Sequence, residues 1–230
     1  ITVSPDNSRL AFVLSGSNLS KSKSSSIIKV YDINTEKFVD VTRQEDYSYM
    51  PGWDNEGNLY YVSIKEGQSG FYAADEDYDS EKIEEVNFSF SEYRISDDGN
   101  KIAFVTEVFP ECGADTDCSK EIRKRMNTGP VQAYMADTLF LRHWDEYEQG
   151  DYMHILLLDR ESGKLTDETP GHHDSPDFSP GGNSGYDLSG DGRTLIFTSK
   201  RVINPQSSTN TDLYIKSIGK EEINITEANK

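Results

Sequence analysis

Four segments of this 230-residue chain repeat one pattern, a polar turn rich in Ser, Asp, Asn and Gly followed by an apolar strand. They span residues 4–13, 53–62, 96–105 and 189–198, and they place Leu10, Leu59, Ile102 and Leu195 at equivalent positions. The turn residues supply side-chain acceptors and tolerate the positive φ of tight hairpins, while the β-branched and aromatic residues that follow suit a pleated strand. A repeat of a few tens of residues is the signature of a solenoid or a propeller. Hairpin units of this kind favour the propeller.

A second hairpin follows each first one. Residues 27–33 and 38–42 form the clearest case, with predicted counterparts at 70–73 with 83–86, 155–159 with 164–166, and 212–215 with 223–226. Four strands per unit is the blade pattern. The expected fold is therefore all-β, a β-propeller of four-stranded antiparallel blades, with about four blades forming a partial ring. The blades are expected at about 1–43, 44–88, 89–171 and 172–230. The interval from Ile102 to Leu195 is about twice the others yet holds one outer hairpin, so residues 107–153 are read as an insertion in the third blade. Within it, residues 119–126 are predicted to form one or two helical turns. Long inserted loops are commonly functional or plainly solvated.

Charge narrows the partners. Asp plus Glu number 41 against 23 Lys plus Arg, a formal charge of -18, which disfavours nucleic acid and anionic membranes. No apolar run approaches the roughly 20 residues needed to span a bilayer, so no membrane insertion is expected. Residue 1 falls in a strand-like run, and the chain is expected to begin inside a longer protein. Cys112 and Cys118 flank a short flexible loop and are expected to form a disulfide. That would suit a bacterial periplasm or cell exterior, with free thiols in the cytoplasm as the alternative.

The residues offer no complete catalytic centre. A nucleophile elbow needs Gly-x-Ser-x-Gly between a strand and a helix; the nearest string, Gly182, Asn183, Ser184 and Gly185, lacks the spacing and runs into a hairpin. His172, His173 and Asp174 have the residue types of a triad, but neighbours in an extended chain point to opposite faces, so they read as a polar loop entering the fourth blade. No His or Cys spacing suits a metal, and no cofactor is expected.

Several strings, in order along the chain, bear a family likeness: Glu107 to Pro110, the cysteine pair, Phe140 to Asp145, Asp159 to Gly163, Thr169 to Gly171, and Ser208 to Tyr214. Together they resemble the N-terminal propeller of bacterial prolyl oligopeptidase family serine peptidases, of the dipeptidyl peptidase and acylaminoacyl peptidase type. That resemblance implies a C-terminal α/β-hydrolase domain of the same protein as partner, a short peptide as substrate, and a propeller that covers the active site. It also implies that propeller loops contact the peptide's amino terminus, which makes Glu107, Arg142, His143, Trp144, Asp145, Glu146 and Tyr147 the candidate substrate-binding residues. A carboxylate pairs with an ammonium, Arg hydrogen-bonds a carbonyl and Trp gives an apolar wall; the same residues also suit anchoring the insertion to its blade. The rival expectation is a non-enzymatic periplasmic propeller scaffold that binds proteins.

Overall fold

The structure, a computed structural model, describes the chain except residues 44–45, 132–141, 144–145, 148, 179–184, 204 and 229–230. Its strands in chain order are β1 (Thr2–Val3), β2 (Arg9–Asn18), β3 (Lys23–Asp32), β4 (Lys37–Asp40), β5 (Tyr47–Trp53), β6 (Leu59–Lys65), β7 (Gln68–Ala74), β8 (Ser80–Lys82), β9 (Glu92–Ile95) and β10 (Lys101–Val108). Helix α1 (Thr116–Thr128) and the short pair β11 (Arg142–His143) and β12 (Glu146–Tyr147) come next. Then follow β13 (Tyr152–Asp159), β14 (Lys164–Asp167), β15 (Tyr186–Leu188), β16 (Thr194–Ser199), β17 (Asp212–Ser217) and β18 (Glu222–Asn224). Strands β1–β4 make blade one and β5–β8 blade two, and a parallel bridge, Ser26 to Tyr47, joins them into one sheet. Blade three runs β9, β10, β13, β14, and blade four runs β15 to β18.

The chain divides into two compact units, one of Ile1–Ser89 with Ile95–Lys101 and one of Phe90–Arg94 with Ile102–Lys230. In the first, strand alternation sends Ala11, Ile28 and Val30 of blade one against Leu59, Tyr61, Tyr72 and Ala74 of blade two. In the second, Ala103, Val105, Ile155 and Leu157 of blade three meet Leu195, Phe197, Tyr186 and Tyr214 of blade four. The two cores share an idea: small or aliphatic residues on one blade receive a Leu-x-aromatic strand from the next. Tyr61 stacks on Tyr72 at 5.6 Å and Phe197 on Tyr214 at 5.7 Å, so the presenting face carries an aromatic pair each time. Each large apolar side chain buried this way contributes roughly 1.5–3 kcal/mol.

The repeated turns close on themselves. Ser4 Oγ donates to Asp6 Oδ1 at 2.6 Å and accepts from Arg9 N–H, while Asp6 accepts from Ser8 N–H. Ser96 with Asp98, and Ser189 with Asp191, repeat the arrangement. These bonds to the ionised form hold Asp98 down at about 2 and Asp6 and Asp191 below the ordinary carboxylate range. Asn7 stands where a Gly is usual and takes φ 59°, a conformation Asn adopts more readily than most side chains. Blade two lacks the Ser and substitutes Asp54, a buried carboxylate that accepts from Glu56 N–H, Asn58 N–H and Nδ2, and Tyr60 Oη.

Three local expectations need correction. The last strand of blade two is Ser80–Lys82, not 83–86; Ile83 and Val86 are instead buried in the connection beyond it. Strand β3 begins at Lys23, ahead of the predicted 27, because it zips along β2 with paired serines such as Ser15 and Ser26. The predicted one or two helical turns at 119–126 are a 13-residue helix, because Asp115 caps it by accepting from Cys118 N–H at 2.9 Å.

Candidate functional site

In an antiparallel blade, the turns joining strands one to two and three to four lie at one end, and the remaining connections lie at the other. In the second unit that other end carries residues 109–151 between β10 and β13, the connection from β14 to β15, and residues 200–211 between β16 and β17. The opposite end carries compact turns such as Ser189–Asp191. The loaded rim is the candidate site.

The inserted segment opens with a fastened helix. The structure pairs Cys112 with Cys118, their Cα atoms 5.6 Å apart, just ahead of and inside the first turn of α1. Buried Ser119 accepts from Phe109 N–H through its hydroxyl, which ties the helix to the end of β10. One turn on, the Arg123 guanidinium reaches Asp151 Oδ2 at 2.5 Å and Glu107 Oε2 at 3.3 Å and lies over the Phe109 ring. Glu107 ends one strand and Asp151 precedes the next, so a shared cation closes the neck through which the insertion leaves the blade. Such charge-assisted bonds are shorter and stronger than neutral ones.

The sequence-predicted site residues fall unevenly on this frame. Glu107 sits at the neck, bound to Arg123. Arg142 and His143 pair in register with Tyr147 and Glu146 as a two-strand ribbon, which places the backbone of those four in the insertion beyond α1. Trp144 and Asp145 lie outside the described residues, as does Ser184. Among the described residues, no group of three or more His, Cys, Asp or Glu side chains is arranged to hold a metal ion.

The His172, His173 and Asp174 string stitches blade three to blade four. Asp174 Oδ1 accepts from Met153 N–H, and its carbonyl accepts from Ser199 Oγ. His172 meets Tyr152 edge to face. His173 is half-buried with its Nε2 sealed from solvent, and that nitrogen meets no hydrogen-bond partner among the described residues. Burial, reinforced by the Arg201 charge, holds its imidazole down at about 4.

Sequence reasoning singled out neither Arg123 nor His154. His154 is fully buried on β13, with Nδ1 2.8 Å from Asp167 Oδ2 and Nε2 3.0 Å from the Gly171 carbonyl. Its alternation with Leu156 and Leu158 in the strand signals a core position. No local signal marks the Arg123 clamp, because its partners lie 16 and 28 residues away.

No protein-family model matches the chain. Over 216 residues, 92% of the chain, it is 26% identical to the Bacillus subtilis "uncharacterized peptidase YuxL", of which it covers 31%. Over 140 residues, 56% of the chain, it is 29% identical to the "probable dipeptidyl-peptidase 5" of Arthroderma benhamiae, covering 19% of that protein. The chain thus spans about a third or less of the length of these curated relatives. Among solved structures, it superposes on the Pyrococcus horikoshii acylaminoacyl peptidase with a TM-score of 0.62 and 14% identity, covering 94% of the chain and 30% of that protein. It superposes on TolB from Acinetobacter baumannii with a TM-score of 0.51 and 16% identity, covering 95% of the chain and 41% of that protein. These structural likenesses establish the fold, a run of β-propeller blades. The sequence homologues are peptidases.

Proposed function

We propose that this chain is the non-catalytic propeller portion of a serine-type exopeptidase or oligopeptidase of the prolyl oligopeptidase family, covering the active site and helping to select and orient short peptides. One observation carries the reading: 92% of the chain aligns with a protein named a peptidase of which it covers 31%, so most of that relative's length lies outside the matched region. The side chains support the same division of labour. His154 and Asp167 have the types of a general-base pair, but His154 has no exposed surface and its two partners are a carboxylate and a carbonyl. A triad needs a hydroxyl on the free imidazole nitrogen and a path for substrate. The rim of blade three offers a better role, with an insertion held at its neck and the backbone pair of Arg142–His143 with Glu146–Tyr147 further along it. The Cys112–Cys118 bridge favours a periplasmic or secreted parent. The TolB likeness is one of fold and leaves a scaffold role without a residue to support it.

The test is made on the full-length parent with dipeptidyl substrates bearing a free or a blocked amino terminus. If the rim orients the peptide, Arg142→Ala and Glu107→Gln raise KM by roughly tenfold, the worth of one charge-assisted contact, with melting temperature unchanged. A parent that cleaves both substrates equally well, and equally well with both substitutions, removes the selecting role.

A further inference from the structure

We infer that residues 169–177, in the connection from β14 to β15, form an acid-released latch: neutral His173 seats it, and a proton on His173 frees both the latch and the point where the insertion re-enters blade three. The inference stands on contacts inside the second unit and is independent of the peptidase reading.

The latch holds blade three where the insertion ends. Asp174 Oδ1 accepts from Met153 N–H at 2.9 Å, and Ser175 N–H donates to the Met153 carbonyl at 2.7 Å. His172 packs edge to face on Tyr152. Tyr152 and Met153 follow directly on Asp151, one arm of the Arg123 clamp. The latch also holds blade four. Ser199 Oγ donates to the Asp174 carbonyl and lies 3.0 Å from Ser175 Oγ, and Asp177 N–H donates to the Thr198 carbonyl. His173 sits in the middle of this set.

The surroundings of His173 suit a neutral ring. Its Nε2 is buried without a partner among the described residues. The ring lies so close to Gly171 that a Cβ there would collide with it. The charged and titratable groups that act on it are Arg201, beyond β16, Glu222 of β18, His154 of β13 and Asp167 of β14. Their acceptors are engaged. Glu222 gives both oxygens to the Arg201 guanidinium, which lies over the Tyr214 ring at 4.2 Å. Asp167 Oδ2 lies 2.8 Å from His154 Nδ1, and its Oδ1 accepts from Thr169 N–H. The Gly171 carbonyl is taken by His154 Nε2. An imidazolium in this seat would carry an N–H without an acceptor beside a fixed guanidinium, which burial makes costly. Burial and the Arg201 charge accordingly hold the seated ring down at about 4. Taking up a proton in milder acid therefore requires the ring to leave its seat, and the backbone from Gly171 to Ser175 to leave with it. A buried imidazole that must charge is a common basis of acid-driven switches.

Amide hydrogen exchange on the full-length parent, read at about pH 7 and about pH 5 and corrected for the intrinsic pH dependence of exchange, tests this. Opening of the segments around Met153 and Ser175 is expected to rise roughly tenfold at the lower pH, since the released ring takes its proton near 6.5 and the seated ring only near 4. The β6–β7 pairing of blade two is expected to stay unchanged. His173→Phe keeps a ring that takes no proton, so its opening is expected to be equal at both pH values. Arg201→Gln removes the fixed cation, lets the seated ring protonate more readily, and is expected to shrink the rise to about threefold or less. Each variant is read independently, so one that fails to fold leaves the other to decide. A flat response in the wild type overturns the inference. A rise that survives His173→Phe, which assigns the proton to another group such as His154, or an undiminished rise in Arg201→Gln, overturns it as well.

Discussion

Blade two and blade three are built on the same four-strand plan, yet they differ completely at one connection. In blade two, β6 turns into β7 through Glu66 and Gly67 alone, both with positive φ, the geometry of a tight two-residue hairpin. In blade three the equivalent strands are separated by residues 109–151. The flanking strands pair in both, so the blade does not depend on what connects its second and third strands. What the larger connection needs, it supplies itself: a disulfide, a capping carboxylate at Asp115, the Ser119 tie to β10 and the Arg123 clamp across the neck. A frame that is indifferent to an insertion at this place is a frame on which recognition can be varied without refolding the core.

The strongest way to break the comparison is to make the two blades alike. Replacing residues 109–151 of the parent by a Glu-Gly turn is expected to leave a cooperative melting transition within a few degrees of wild type. Turnover of short peptides is expected to fall about 100-fold, the cost of misplacing a bound substrate. Equal loss of folding and turnover would mean that the insertion is part of the core.

Smaller changes sharpen the same point. Cys118→Ser opens the loop ahead of α1 and is expected to lower the local stability of the helix by about 2 kcal/mol, read as faster amide exchange over 116–128 with β10 and β13 unchanged. Arg123→Ala releases the neck and leaves the mostly buried Asp151 carboxylate unpaired, a loss of about 1–2 kcal/mol. Arg123→Lys is expected to recover part of it, since a single ammonium reaches one carboxylate better than two.

The connection between blades three and four responds to acid instead. The folded-state pKa of His173 lies near 4, below the ordinary 6.5, so the unfolded chain binds the extra proton first as pH falls. Its contribution is present above pH 6.5 and is lost on the way down to about 4. Urea titrations at about pH 7 and about pH 4.5 are expected to differ by roughly 1–2 kcal/mol more in wild type than in His173→Phe, allowing for solvent screening. Ionised Asp98 contributes in the same direction but only as pH approaches 2. The smallest effect belongs to the short turn of blade two. Gly67→Ala meets no neighbouring atom within 4 Å, so its cost is the left-handed φ of 82° alone, about 1 kcal/mol in the melting curve.

The contrast between the two blades also separates what a sequence announces from what only folding brings together. Hairpins whose chemistry is local are legible: Ser189, Asp191 and the strand that begins at Thr194 announce their own turn. Strand β8 is not, because Ser80, Glu81 and Lys82 are all exposed and carry no alternation, whereas Ile83 and Val86, which look like a strand, are buried in a connection. The helix is visible as a charged stretch, but its length comes from a cap at Asp115. The site is legible only at its edges. Glu107 is a candidate through the family resemblance, and it shares a cation with Asp151, an acquaintance made across 44 residues that no local pattern encodes. The peptidase likeness is carried by strings distributed along the chain, and the homologues carry the same word.

The central claim is that this chain shapes access to a reaction whose bond-breaking groups lie elsewhere in the parent. It is tested most directly by assaying the purified 230-residue chain beside the full-length parent on dipeptidyl and acyl-aminoacyl chromogenic substrates, with and without a serine-directed inhibitor. The account predicts turnover by the parent that the inhibitor abolishes, and none by the chain. Inhibitor-sensitive turnover by the chain alone, or a parent that cleaves neither substrate, would contradict it.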